Sequence, residues 1–513
     1  MTPPLDNSPT GPLLAQQFDR QAARTAVNLN FEDCANGAAD RPAVNSFDVF
    51  DTLIARRCVA AEQVFHKLEI QHGLPGFAAA RRAAEIAVSG PDLTLGAIYR
   101  ELASRIAIDP ANAMQAEIEA ELAEVIPIAD NLARVRDGDL LLSDMYLPAE
   151  TIRALLAKAG LQRRVGLVVS ADGKQSGRVW PLVQAGLRIE RHLGDNAHSD
   201  VVMPRRAGIV AEHTAIGTPT KVEQWLLDAG CGGLGELVRA ARLRIATQDP
   251  IARRLLLAQT QYNFPLLALA SVLLHRQTAG RALRFASRDC NLWCDLHRAL
   301  FPRADATYFY TSRRARVRPS PAYRAYARAQ LADNAVLIDL VGSGWSSALL
   351  MQSLGLTENG GLFFLHRIAL IGLYEQQQKT PDICRVAAIL GPERTELDHI
   401  RLEMANYAEH GAALDVGRLA GADLPFFDRD DRSQHERALI AAQGACFAAM
   451  VADAKDRGLA DEIGLDDAQL ADVIGRLYAL LGQETAFETA FAASHHQEDL
   501  RTLAALSLIP NEQ

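Results

Sequence analysis

The stretch NSFDVFDTLIARR, residues 45–57, sets Asp48, Asp51 and Thr52 at the end of a short apolar run. Three later segments carry groups of related chemistry. Ser143 and Asp144 close DLLLSD, Lys174 lies in SADGKQSG after GLVVS, and Asp195 and Asp200 lie in LGDNAHSD. A carboxylate nucleophile, hydroxyls, an ammonium and a carboxylate pair suit a phosphoryl group held beside a divalent ion. The hydroxyls and ammonium would hold phosphate oxygens. The carboxylates would hold Mg2+, a hard cation that prefers oxygen ligands.

The elements that must position these groups are legible in the hydropathy pattern. AVNSFDVF, DLLLSDMY, VGLVVSAD, RHLGDN and AGIVAEH are apolar runs ending in polar residues, each followed by a helical segment. Strands alternating with helices predict an α/β fold with a parallel sheet covered on both faces, and ligands bind at the carboxyl ends of such strands. Residues 60–135 break the rhythm, being almost wholly helix-like, and read as an insertion between the first and second strands. A second α/β unit is expected after a long helical stretch at 251–279, from ALRFASRD, ATYFYTSRR, AVLIDLVGSGWSSALL and GGLFFLHRIAL. The expected division is an arm at 1–43, a first domain at 44–245, a second α/β domain at 246–410 and a helical region at 411–513.

Order and spacing over residues 44–215 resemble the haloacid dehalogenase (HAD) superfamily of phosphatases, phosphomutases and dehalogenases. FDVFDTL is similar to its first motif, usually DxDxT, LLLS to the second, Lys174 to the third and GDNAHSD to the fourth. The insertion looks like that family's cap, which closes over the substrate. The resemblance implies that Asp48 is a nucleophile forming an aspartyl-phosphate, that Thr52 and Ser143 bind the transferred phosphoryl, and that Lys174 neutralises charge. Asp195 and Asp200 would hold Mg2+ beside Asp48 and the backbone carbonyl of Phe50.

Phe50 departs from the family pattern. Family phosphatases usually carry there a second aspartate, which protonates the leaving oxygen, and a phenyl ring cannot. Three readings stay open at this point. One is a metal-dependent hydrolase of a phosphorylated sugar- or nucleotide-like small molecule, with the proton supplied elsewhere or not needed. Another is a metal-independent dehalogenase, since dehalogenases of the family have an aromatic residue at this position. The third is a silent site that only binds a ligand or serves as a scaffold. Asp51 reads equally as a turn carboxylate or a catalytic group. Arg56 and Arg57 read as a surface pair at the start of the insertion or as groups reaching a substrate anion, and His198 as a loop residue or one touching the metal site.

A second constellation lies in NAVLIDLVGSGWSSALLMQSLG. An apolar strand carrying Asp339, a loop of Gly342, Ser343, Gly344 and Ser346, and then an apolar helix would turn backbone N–H groups towards an anion. The stretch is similar to the phosphate loop of type I phosphoribosyltransferases, with only one acid and with Trp345 inside the loop. Arg288 and Arg313 would reach the same anion, or the stretch is an ordinary strand-to-helix turn.

Length and composition limit what remains. At 513 residues the chain exceeds one ordinary core. Apolar residues make up 49 % and charged residues 22 %, as in globular proteins. A net charge of −9 gives no footprint for nucleic acid or an anionic membrane. The arginine clusters RRAAE and TSRRARVR read as solvated helix faces. Seven cysteines form no paired motif. FPLLALASVLL is the longest apolar run, too short to span a bilayer, so a cytoplasmic protein free of membrane is expected.

Overall fold

A computed structural model describes residues 41–505, apart from positions 92, 333, 359, 370–380, 384 and 420. Most of the expected arm, with Cys34 and Cys384, falls outside the described residues. The chain forms two compact units, Met1–Gln224 with Leu243–Ala246, and Trp225–Arg242 with Thr247–Gln513. Each is built on a five-stranded parallel sheet.

In the first unit the apolar runs form β1 (Ala43–Asp48), β4 (Leu140–Asp144), β5 (Gly166–Ser170), β6 (Arg188–Gly194) and β7 (Val210–His213), ordered β5-β4-β1-β6-β7. The chain steps outward from β1 through β4 to β5, then returns to the other side of β1 for β6 and β7. The reversal places a crevice at the carboxyl ends of β1 and β6, where ligands collect in such sheets. Phe47, Leu141, Leu142, Leu167 and Leu193 are buried on the two faces of the sheet.

The insertion leaves and re-enters through a two-stranded antiparallel stem that the sequence pattern did not announce. Its strands are β2 (Ile54–Arg56) and β3 (Val125–Pro127), with Ile54 opposite Pro127. Between them run four helices, α1 (Gln63–His72), α2 (Phe77–Ala87), α3 (Leu95–Arg105) and α4 (Pro110–Glu124). Thr94 caps α3 by accepting from the Ala97 amide, and Asp109, followed by Pro110, caps α4. Phe65, Leu68, Phe77, Ile98 and Leu102 form its apolar interior.

That interior also contains an ion pair. Arg81, from the RRAAE cluster, is 0 % exposed and donates two hydrogen bonds to the equally buried Glu117, at 2.7 and 2.8 Å. Tyr99 donates to the same carboxylate at 2.7 Å. The expectation of a solvated face therefore holds for Arg82, exposed and paired with Glu62, and fails for Arg81. Its guanidinium lies 4.7 Å from the Phe65 ring centroid and 5.0 Å from that of Tyr146. A buried charge is tolerable here because carboxylates and ring faces satisfy it.

The second unit holds β8 (Leu283–Ala286), β9 (Ala306–Phe309), β10 (Val336–Gly342), β11 (Gly361–Arg367) and β12 (Arg385–Leu390), ordered β12-β11-β10-β8-β9. FPLLALASVLL lies in the helix Phe264–Gln277, buried on every side from Phe264 to Leu274, as a helix apolar all round must be. After the sheet come the antiparallel hairpin β13 (Ala413–Leu419) and β14 (Ala422–Phe427), then helices. Among the described residues one helix, Gln434–Arg457, is long and apolar enough to cross a membrane, with mean hydropathy 1.3 and 33 % of that stretch buried.

Candidate functional site

Asp48 is the last residue of β1 and Asp195 follows β6 directly. Asp195 opens a turn that Asn196 holds by accepting hydrogen bonds from the His198 and Ser199 amides, at 2.9 and 3.1 Å. The turn becomes one wide helical stretch, Ala197–Val202, which carries Asp200 back over the sheet end. Gly194 permits that return, since a Cβ there would lie 2.4 Å from the Asp200 side chain. One oxygen from each of Asp48, Asp195 and Asp200 falls within 4.8 Å of the others.

Lys174 reaches the same point from the loop after β5, with its side chain almost wholly buried. Its ammonium donates to Asp48 Oδ1 in a short contact and to Asp200 Oδ1 at 2.7 Å. Asp144 fixes the loop. Its carboxylate accepts from the backbone amides of Lys174 (3.0 Å to either oxygen) and Gln175 (2.9 Å), and from Ser170 Oγ (2.7 Å). This anchoring role was not assigned from sequence, where Asp144 is only the residue after Ser143.

Thr52 and Ser143 complete the arrangement. Asp48 is in register with Leu142, so buried Ser143 follows it by one position on the adjacent strand. Thr52 is 0 % exposed. Its hydroxyl helps hold Asp48 ionised, and Oγ1 is fully enclosed beside that carboxylate.

The electrostatics are unbalanced, with three carboxylates facing one ammonium. Burial, opposed by Lys174 and reinforced by Asp200, pushes the Asp48 carboxyl up to about 6. Burial and then the charges of Asp48, Asp51 and Asp200 push Asp195 up to about 7. Asp200 goes the other way. Burial would raise it, but the His192 hydrogen bond and the Lys174 charge bring it down to about 2. Burial would likewise lower Lys174, and the two carboxylates instead hold it above the ordinary lysine range. Lys174 offsets the rise in Asp195 only in part. An all-oxygen donor set with surplus negative charge fits a hard cation.

Asp51 sits in a tight turn with φ of 54°, a left-handed conformation that aspartate tolerates better than most side chains. Its amide donates to the Ile54 carbonyl at 2.7 Å. Gly217 packs against its carbonyl so closely that a Cβ would lie 2.0 Å from the oxygen. Phe50 packs against the core at the base of the insertion.

Arg56 lies over the Phe50 ring at 4.9 Å and donates to both oxygens of Glu121 on α4, at 2.7 and 2.8 Å. The expected surface pair is thus corrected. The Arg56 side chain is 13 % exposed, and Arg57 is partly buried with its Nε enclosed. Charge patterning could not reveal this, because the partner is 65 residues away. His198 is exposed, but it lies within the wide helical stretch Ala197–Val202 and not in a loop.

In the second unit the strand order turns back at β8, with β9 on one side and β10 on the other, β10 pairing in parallel through Val336–Leu283 and Ile338–Phe285. Arg288 and the loop after Gly342 therefore leave neighbouring strand ends. Asp339 does not face a ligand alone, since it accepts from Arg316 Nη1 at 2.7 Å. Arg316 also donates to Ser347 Oγ (2.9 Å) and Thr311 Oγ1 (3.1 Å). It is the buried member of the TSRRARVR cluster, whereas Arg313 and Arg314 are exposed. Gly344, with φ of 86°, precedes the helix Trp345–Leu354 and offers it no side-chain cap. Ser343 Oγ accepts from the Trp345 amide at 3.3 Å. Trp345, which the sequence sets inside the loop, is buried as the first residue of the helix. The Arg288 guanidinium stacks over Tyr407 at 4.8 Å. Ser346 is half-buried in the first turn of the helix.

No known family model matches this chain, and no curated protein matches it.

Proposed function

We propose that the first unit is a phosphohydrolase of the HAD type. Asp48 attacks phosphorus, the bond to the leaving oxygen breaks, and the aspartyl-phosphate formed is then cleaved by water. Thr52 and Ser143 hold the phosphoryl oxygens, and Lys174 offsets the charge shared by nucleophile and phosphate. Asp48, Asp195, Asp200 and the carbonyl of Phe50 would hold Mg2+, which supplies further neutralisation of phosphoryl charge when bound. The observation that carries this reading is the convergence of three aspartates, one buried lysine and the enclosed Thr52 hydroxyl at one sheet crevice.

Phe50 narrows the substrate. A general acid is worth about 10²–10⁴ in rate, and a phenyl ring contributes none of it. Substrates whose leaving group departs as a stable anion, acyl phosphates or aryl phosphates, should turn over faster than alkyl phosphates. In the second unit, the loop 342–346 with Arg288 would bind an anionic sugar- or nucleotide-like group. Arg313 is a weaker candidate for that site because the paired cation of Asp339 is Arg316.

The test is hydrolysis of acetyl phosphate, p-nitrophenyl phosphate and alkyl phosphates with and without Mg2+. We expect Mg2+-dependent turnover ordered by leaving group and lost by several orders of magnitude in Asp48→Asn. Absence of turnover across the panel would overturn the proposal in favour of a ligand-binding protein.

A further inference from the structure

His192 lies behind the proposed metal ligands and has no part in the chemistry above. It stands on β6 directly opposite Ser46 of β1, and both residues are 0 % exposed. Each ring nitrogen has a partner. His192 Nδ1 is 2.8 Å from Ser46 Oγ, and Nε2 is 3.2 Å from Asp200 Oδ1. Trp180 packs edge-on against the ring, with centroids 4.9 Å apart and planes at 75°, so the imidazole has little room to rotate.

The partners fix the tautomer. An ionised carboxylate only accepts, so in the neutral ring the proton must be on Nε2, leaving Nδ1 bare. Ser46 then donates its hydroxyl proton to Nδ1. Its other acceptor, the Arg191 carbonyl, is at 3.5 Å, so the shorter contact prevails. Asp200 is thereby held from three directions. Oδ1 accepts from both Lys174 and His192, and Oδ2 accepts from the Asn196 amide at 3.1 Å. Without His192, Oδ1 would keep only the lysine, a flexible donor that Asp48 shares.

We propose that His192 is a positioning residue, its neutral Nε2–H holding Asp200 in the metal-binding orientation while Ser46 donates to the bare Nδ1 and holds the ring from behind. The role rests on the metal site proposed above. Groups that orient a metal ligand from behind typically govern affinity by about 10–100-fold. A histidine that only fills the core would not.

The experiment measures Mn2+ affinity by calorimetry on the full chain, for wild type, His192→Leu and His192→Gln, with 15N NMR of the imidazole. We expect His192→Leu to bind Mn2+ about 10–100-fold more weakly. His192→Gln, which restores an N–H to Asp200, should recover most of that loss, and the wild-type ring should show the Nε2–H tautomer. Undiminished binding by folded His192→Leu, or failure of glutamine to restore binding, would overturn the role while leaving the metal site standing. A wild-type Nδ1–H or doubly protonated ring would overturn it even if His192→Leu does not fold. Wild-type protein that binds no Mn2+ would refute the metal reading and this role with it.

Discussion

Replacing Asp48 by asparagine should abolish chemistry and, in metal-free protein at pH 8, raise stability. The Asp48 carboxyl stands at about 6 against an ordinary 3.8, because burial and Asp200 outweigh Lys174. Below pH 3.8 the group is protonated in both folded and unfolded chains and contributes nothing. Between about 4 and 6 the folded state binds more protons than the unfolded one, so stability falls as pH rises, and above 6 the whole penalty is present. A shift of roughly 2 units at 1.36 kcal/mol each makes that penalty about 3 kcal/mol. Asparagine, neutral like the protonated carboxyl, removes it, and the Lys174 contact is already included in that penalty. The net gain should be about 3 kcal/mol at pH 8 and vanish near pH 4. Scanning calorimetry of both proteins in EDTA at the two pH values reads it directly. Equal destabilisation of Asp48→Asn at both would refute the reasoning, since Asp48 would then be a stabilising partner of Lys174 and not a strained carboxylate.

Two other outcomes follow from the same geometry. Divalent-cation affinity should rise with pH through about 6–7, since protons must leave Asp48 and Asp195 before both can coordinate. Calorimetry in buffers of different ionisation enthalpy should find proton release at pH 6 and almost none at pH 8.5, and release that does not change with pH would count against the assigned ligands. In the second unit, Arg316→Ala should lower stability by about 3–5 kcal/mol by leaving Asp339 unpaired. Denaturant unfolding measures this, and a change below about 1 kcal/mol would show that the pair behaves as a surface ion pair.

The strands carrying Asp48 and Ser143, and the one leading into the Lys174 loop, were legible because burial on both faces of a parallel sheet demands continuous apolar runs such as DLLLSD and GLVVS. Their order along the chain sufficed to align four candidate strand ends. What stayed hidden depended on partners far away in sequence. Stem strands β2 and β3 have only three residues each, too few for periodicity to register. Arg81, Arg56 and Arg316 looked like solvent-facing charges, because nothing local marks Glu117 or Glu121 as a carboxylate in the interior, and nothing in TSRRARVR singles out Arg316 as the partner of Asp339. His192 gave no signal either. Its neighbours in sequence are arginine and leucine, and only the β1–β6 register brings Ser46 beside it.

The most direct measurement of the central claim is a crystal structure of the full chain grown with Mg2+ and beryllium fluoride. The account predicts a tetrahedral beryllofluoride bonded to Asp48, with fluorines on Thr52, Ser143 and Lys174 and a cation among Asp48, Asp195 and Asp200. A saturated crystal with an unmodified Asp48 and no cation among the three aspartates would contradict it.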